Sequence, residues 1–142
     1  AAGFALVANV ESVLALAGGV LIGVIAGAIP GLSATMAVAL TLPFTFAMQP
    51  IPAILLLLGV YKGGIFGGSI PAILIKTPGT PASSATILDG YPMVKNGQAG
   101  KALGMALWAS CTADLISNLA LLLLAGCLSA FALNSGTSEL FT

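Results

Sequence analysis

Residues 13–31 read "VLALAGGVLIGVIAGAIPG", and how this stretch is taken decides the fold. Nothing in it is charged, and Gly19, Gly23, Gly27 and Gly31 recur at every fourth position. In a helix that spacing sets all four on one face. Such a stripe lets a neighbouring helix approach backbone to backbone, which is how helices associate in lipid, where apolar side chains gain nothing by leaving their solvent. The apolar run from Val13 to Ile29 approaches the roughly 20 residues that cross about 30 Å of hydrocarbon. Glu11 and Ser12 precede it and suit a helix start. The stretch therefore predicts a spanning helix that packs tightly against a second one.

The rest of the chain agrees. It is 58% hydrophobic and 6% charged, with a mean hydropathy of +1.13, whereas soluble domains carry about 25% charged residues. That composition belongs in a lipid bilayer. Four basic and four acidic residues cancel, so no electrostatic case exists for binding nucleic acid or for a basic membrane-surface patch. The opening "AAGFALVANVE" has no basic residue and apolar segments recur throughout, which is not the pattern of a secretory signal. A start without Met and an end at "SGTSELFT" are read as the N-terminal portion of a longer protein, with residues 1–142 forming one transmembrane domain. Cys111 and Cys127 have no Cys or His at ligand spacing and are read as small packing residues.

The apolar pattern is interrupted at Pro30-Gly31 and again at Pro43, Pro50 and Pro52. A proline inside a membrane frees a carbonyl one turn earlier, which then needs a protein neighbour or a water-lined cavity. "AILLLLGV" (53–60) leads into "YKGGIFGGSIPAILI", where Gly59, Gly63 and Gly67 form a second stripe and Gly64 with Gly68 a third. Glycines that dense cost about 1 kcal/mol each in helix propensity, so they imply close packing or irregular backbone. Residues 98–133 read as helical but too long for one untilted span, so a division is expected, with 115–133 the clearest membrane helix. The fold class is all-α: a polytopic integral membrane protein with about four apolar helical segments, some broken at Pro-Gly as discontinuous or re-entrant helices.

"KTPGTPASSATILDGYPMVKNG" (76–97) is the main polar interruption. Thr80 before Pro81 has the form of a helix start, a hydroxyl at the N-cap and a preset φ at the next position. A short helix through Leu88 is expected, stopped by Gly90. Its first amides, the positive end of its dipole and the hydroxyls of Thr77, Thr80, Ser83 and Ser84 would make an anion cradle. "PGLSAT" (30–35) repeats the idea. Converging half-helix N-termini are how secondary transporters hold carboxylates; two unrelated loop turns are the other reading of these short matches.

The charged residues divide similarly. Lys62, after Tyr61, is either an interfacial anchor or a cation facing a carboxylate. Lys76 either adds charge to the cradle or fixes topology, and Lys76, Lys95 and Lys101 together favour the cytoplasmic side for 90–101. Asp89 is expected at a helix end. Asp114, with Asn118 a turn later, is an intramembrane carboxylate or marks the water boundary between two helical segments. There is no His, no metal-ligand spacing, no nucleophile with a base partner and no GxxxxGK[ST], so an enzyme is not expected; whether a metal ion binds is left open.

"IPGLSATMAVALTLPFTF", "LLLGVYKGGIFGGSIPAILIKTPGTPASSAT" and "LDGYPMVKNGQAGKALGMAL" resemble the large membrane subunit of the tripartite tricarboxylate transporter family, over about Gly18 to Leu107. Ser33, Lys76 and Asp114 depart from its usual Gly, Asn and small residue. The resemblance implies a multi-pass permease of the bacterial inner membrane that imports citrate-like carboxylates on an ion gradient. Its implied partners are a small membrane subunit and a periplasmic solute-binding protein. No cofactor is expected beyond co-transported Na⁺ or H⁺. Carried onto this chain, the candidate substrate-binding residues are Pro30, Gly31, Ser33 and Thr35 in the first turn. In the second they are Thr77, Pro78, Gly79, Thr80, Pro81, Ser83 and Ser84; Lys62 is added to these candidates not from the resemblance but as a cation that could face a carboxylate. A passive channel and a non-transporting scaffold subunit are the other functions this composition allows.

Overall fold

A computed structural model of the chain describes residues 9–134, with side chains through residue 125. Every regular element among them is helical: α1 (Val10–Ala28), α2 (Ala34–Thr45), α3 (Pro50–Gly67), α4 (Ser69–Ile75), a 3₁₀ turn (Pro81–Ser84), α5 (Thr86–Lys95) and α6 (Ala99–Asn134). Three stretches are long and apolar enough to cross a membrane: Val10–Ala28, Pro50–Ile75 and Ala99–Ala125. Ala34–Thr45 is a shorter apolar helix. The chain is thus an all-helical, multi-pass membrane protein.

α1 starts at Val10, earlier than the expected Val13, because Glu11 falls inside its first turn, where the positive end of the helix dipole favours a carboxylate. Its glycine stripe meets the stripe of α3. A β-carbon on Gly19 would collide with the Leu56 carbonyl, one on Gly23 with that of Val60, and one on Gly27 with that of Gly64. Reciprocally, a β-carbon on Gly59 would lie 2.5 Å from the Leu16 oxygen and one on Gly67 2.5 Å from the Val24 oxygen. Both sets of contacts climb in the same direction along both helices, so α1 and α3 run parallel, backbone against backbone.

A parallel pair requires the chain to return between its members. Residues 29–49 do so, turning at Ile29–Ser33 and descending through α2, which at 12 residues is about 18 Å long. α2 lays its buried Ala34, Ala37 and Thr41 inward, and Ala34 occupies the space a side chain on Gly64 would need. The Thr41 hydroxyl donates to the Ala37 carbonyl at 2.7 Å, a bond that keeps a buried hydroxyl satisfied without a partner helix.

The segment after α3 doubles back. α4 rises to Lys76, whose φ of 59° is the one positive value at a non-glycine among the described residues. The Thr77 amide then donates to the Pro71 carbonyl at 3.3 Å and the Gly79 amide to the Gly68 carbonyl at 3.2 Å. An extended run from Lys76 to Thr80 covers about 13 Å, matching the roughly 12 Å of helix from Gly68 to Lys76. The 3₁₀ turn is therefore set beside Gly68, and α5 climbs again along α4, with Gly90 against Ile73.

Three expectations are corrected here. The helix after Pro81 is not one element ending at Gly90: a 3₁₀ turn gives way to α5, which continues through Gly90 and Pro92 to Lys95. Gly90 is small because a β-carbon there would lie 2.8 Å from Ile73 Cγ1. The stop is Gly97, at φ 76°, whose amide donates to Val94 while that of Gln98 donates to Met93, both at 2.9 Å. This is the paired closure of a helix ending on a left-handed residue. Asp89 lies in the first turn of α5 rather than at its end, on the favourable side of the dipole. Nor does the segment from residue 98 onward divide, since α6 runs from Ala99 to Asn134 as one helix with Asp114 inside it.

Contacts separate two units, Ala1–Leu107 and Trp108–Thr142. In the second, Cys111 is exposed and the Thr112 hydroxyl donates back to the Trp108 carbonyl at 2.9 Å. Cys127 and the polar end from Asn134 fall outside the residues whose side chains are described.

Candidate functional site

The first turn is built by Gly31, at φ 96°, a value that only a residue without a β-carbon adopts freely. It delivers Ser33 to the N-cap of α2, where the Ser33 hydroxyl accepts from the Met36 amide at 3.2 Å. Ser33 and Thr35 also share a hydrogen bond of 2.8 Å between their hydroxyls. The amides of Ala34 and Thr35 have no intrahelical acceptor at this position. Pro30, Gly31 and Thr35 are exposed and Ser33 half-buried, so this turn presents donors to whatever lies beside it.

The second turn is more closed than expected. Thr80 does stand before the 3₁₀ turn in extended conformation, but its side chain caps no amide; its hydroxyl bonds that of Ser83 at 2.7 Å. Thr80 and Ser83 are only 7% and 3% exposed. The Ser83 amide donates to the Thr80 carbonyl at 3.0 Å, and Thr77 and Gly79 spend theirs on α4 and α3 as described. Of the first amides of this helix, expected to stand free, that of Ser83 is thus consumed within the turn, while those of Thr77 and Gly79 pin the loop to the helices. A hydroxyl pair uses one of its two protons internally, which leaves one donor for a ligand. Thr77, Pro78, Pro81 and Ser84 are exposed around this core and Gly79 is half-buried.

Both turns converge on α3. Ala34 sits on Gly64, while Thr80 and Ser83 sit on Gly68, where a β-carbon would meet the Thr80 Oγ1 at 3.0 Å and the Ser83 Oγ at 3.1 Å. Gly27 closes the floor, its carbonyl 2.6 Å from where a β-carbon on Gly79 would stand. Along the Pro50–Ile75 stretch of 26 residues, about 39 Å long, Gly64 and Gly68 lie about 21 and 27 Å from the start. The meeting point is inside the apolar element rather than at its tip.

Lys62 is exposed on the same helix half a turn below Gly64, about 18 Å from Pro50 and 20 Å from Ile75. A lysine stem cannot snorkel from there to either end of the element. Lys76 goes elsewhere: its ammonium stands 5.9 Å from the centre of the Tyr91 ring. Sequence reasoning missed Gly27, Gly64 and Gly68 as the floor of the site. Their spacing was visible, but as helix packing rather than as a seat for two turns. Among the described residues no group of three His, Cys, Asp or Glu side chains is placed to hold a metal ion.

Comparison with known proteins bears on this arrangement. The chain is 41% identical over 123 residues to an uncharacterized 52.8 kDa protein in the TAR-I ttuC' 3' region of Agrobacterium vitis. That alignment covers 87% of this chain and 24% of the relative, so the chain spans about a quarter of the relative's length. No solved structure matches. The model of the tripartite tricarboxylate transporter TctA family matches residues 13–142, a region that contains both turns, two of the three candidate spans and all but the first three residues of the other, and the chain belongs to that family.

Proposed function

We propose that this chain forms the solute-binding part of a permease that carries a citrate-like tricarboxylate across the bacterial inner membrane by alternating access. A gradient of Na⁺ or H⁺ drives it. A small membrane subunit completes the permease, and a periplasmic solute-binding protein delivers the substrate. Family membership supports the class of cargo. The observation that carries the reading is the convergence of the 30–35 and 77–84 turns on Gly64 and Gly68, within the length of a membrane-spanning element that also carries Lys62 at a similar depth.

The chemistry follows from depth. An ammonium at the middle of an apolar span is costly and is retained where it serves a site. A tricarboxylate supplies the opposite charge there, with Ser33, Thr35 and the first amides of α2 donating to one carboxylate. The remaining donor of the Thr80–Ser83 pair serves a second.

The test uses the full-length subunit with its partners in proteoliposomes. Citrate accumulation that requires an imposed Na⁺ or proton gradient supports a coupled permease. Conductance without coupling assigns a channel, and absence of both binding and flux assigns a scaffold. Within a coupled carrier, Ser33→Ala with Thr35→Val is expected to raise the half-saturating citrate concentration at least tenfold. An unchanged value removes this turn from the site.

A further inference from the structure

Two of the four lysines in the chain meet at one aromatic ring. The ammonium of Lys76 stands 5.9 Å from the centre of Tyr91, and that of Lys95 stands 5.3 Å from it. They reach it from different elements. Lys76 is carried by the left-handed turn that ends α4, at φ 59°, a conformation disfavoured for a residue with a β-carbon. Lys95 is in the last turn of α5. Both side chains are exposed. Two cations held at one ring repel each other unless an anion lies between them, and the ring's face lowers that repulsion without cancelling it.

The surroundings say which kind of anion. Leu88, Tyr91 and Lys95 recur at three and four residues along α5 and share one face. On that face Leu88 is 76% exposed. Across from it, Leu74 and Ile75 are exposed immediately before Lys76, at the end of the Pro50–Ile75 candidate span. α5 climbs in the same direction as α4, so the apolar residues lie toward the span and the ammonium groups beyond its end. The surface thus passes from aliphatic, through an aromatic ring, to a pair of positive charges over about two helical turns. A free inorganic ion has no use for the aliphatic part, whereas an amphiphile matches the whole gradient.

We propose that Lys76, Tyr91 and Lys95 form a docking site for the headgroup phosphate of an anionic phospholipid, with its acyl chains along Leu74, Ile75 and Leu88. The site is separate from the carboxylate-binding turns, and its occupancy is independent of transport.

The experiment is lipid binding to the full-length subunit in detergent, followed by native mass spectrometry while phosphatidylglycerol or phosphatidylcholine is titrated in. Phosphatidylglycerol is expected to bind at least fivefold more tightly than phosphatidylcholine, and Lys76→Gln with Lys95→Gln is expected to weaken it by more than tenfold. Arginine at both positions retains binding, which keeps the test valid if the glutamine variant folds poorly. Equal affinity for the two lipids, unchanged phosphatidylglycerol binding in the glutamine variant, or displacement of the lipid by millimolar inorganic phosphate each overturns the proposal. Citrate binding, measured in the same preparations, is expected to be unaffected by the lipid composition during binding, so failure here is distinct from failure of the transport reading.

Discussion

Gly59 faces Leu16 so closely that a β-carbon on it would lie 2.5 Å from the Leu16 carbonyl oxygen, and Gly19 faces Leu56 in the same way. The two relationships are one, repeated. Each contact that α1 makes on α3 is returned with the partners exchanged, at a constant offset of 40 positions: 19 with 59, 23 with 63, 27 with 67. The pair therefore has an approximate twofold axis along the helices, and neither stripe can be relaxed by itself.

This predicts a sharp division among the glycines. Gly23→Ala or Gly63→Ala drives a methyl group into a facing backbone carbonyl, and overpacking of this kind costs about 1–3 kcal/mol. Gly18→Ala, with no atom within 4 Å of the new carbon, is neutral or gains up to about 1 kcal/mol from helix propensity. Thermal unfolding in detergent separates them, and equal melting temperatures for all three would refute the parallel packing.

A second expectation concerns the buried hydroxyl pair. Thr80→Val leaves the Ser83 hydroxyl, 3% exposed, without its 2.7 Å partner, at a cost of about 1–3 kcal/mol. Thr80→Val combined with Ser83→Ala removes both polar groups and should be less destabilising than the sum of the single changes. Strict additivity in a double-mutant cycle would show that the two do not interact.

How much of this was legible in the sequence depends on which residue is asked. The stripes at 19–27 and 59–67 announced close helix contact, and the all-helical membrane class followed from hydropathy. That the stripes face each other in parallel was not legible, because spacing names a face without naming its partner. Gly90 was misread for a related reason: a glycine that makes room for Ile73 and one that reverses the chain look identical until the neighbour is placed. Pro92 also sits inside α5, beyond the stop expected at Gly90. The hydroxyl-bearing helix start at Ser33 was legible from its position after Pro-Gly. The consumption of the Thr77 and Gly79 amides was not, because it depends on the chain folding back along α4.

The two glycines of α5 and its C-terminus should respond oppositely to a compensating change. Gly97→Ala forces a β-carbon into a left-handed position and costs about 1–2 kcal/mol whatever surrounds it. Gly90→Ala meets Ile73, so it should be destabilising alone and largely rescued by Ile73→Ala, which clears the space. Rescue of Gly97→Ala by the same change, or none for Gly90→Ala, contradicts the assignment of Gly97 as the stop.

Lys62 gives the most direct test of where the carboxylate sits. A ligand that binds only the folded protein stabilises it, by about 2.7 kcal/mol at a concentration one hundred times its dissociation constant. Saturating citrate should therefore raise the melting temperature of the full-length subunit, and Lys62→Gln should abolish most of that rise by weakening binding at least tenfold. Lys62→Arg keeps the charge at the same depth and is expected to preserve much of it. Lys101→Gln, in the first turn of α6 and away from Gly64 and Gly68, controls for a general loss of positive charge and should leave the shift intact. The comparison uses the ligand-induced shift and not the melting temperature itself, so a stability cost of removing Lys62 does not blur the result. If Lys62→Gln and Lys101→Gln lose the citrate shift equally, the ammonium on α3 is not the substrate's counter-charge, and the donors of the two turns must hold the anion without it.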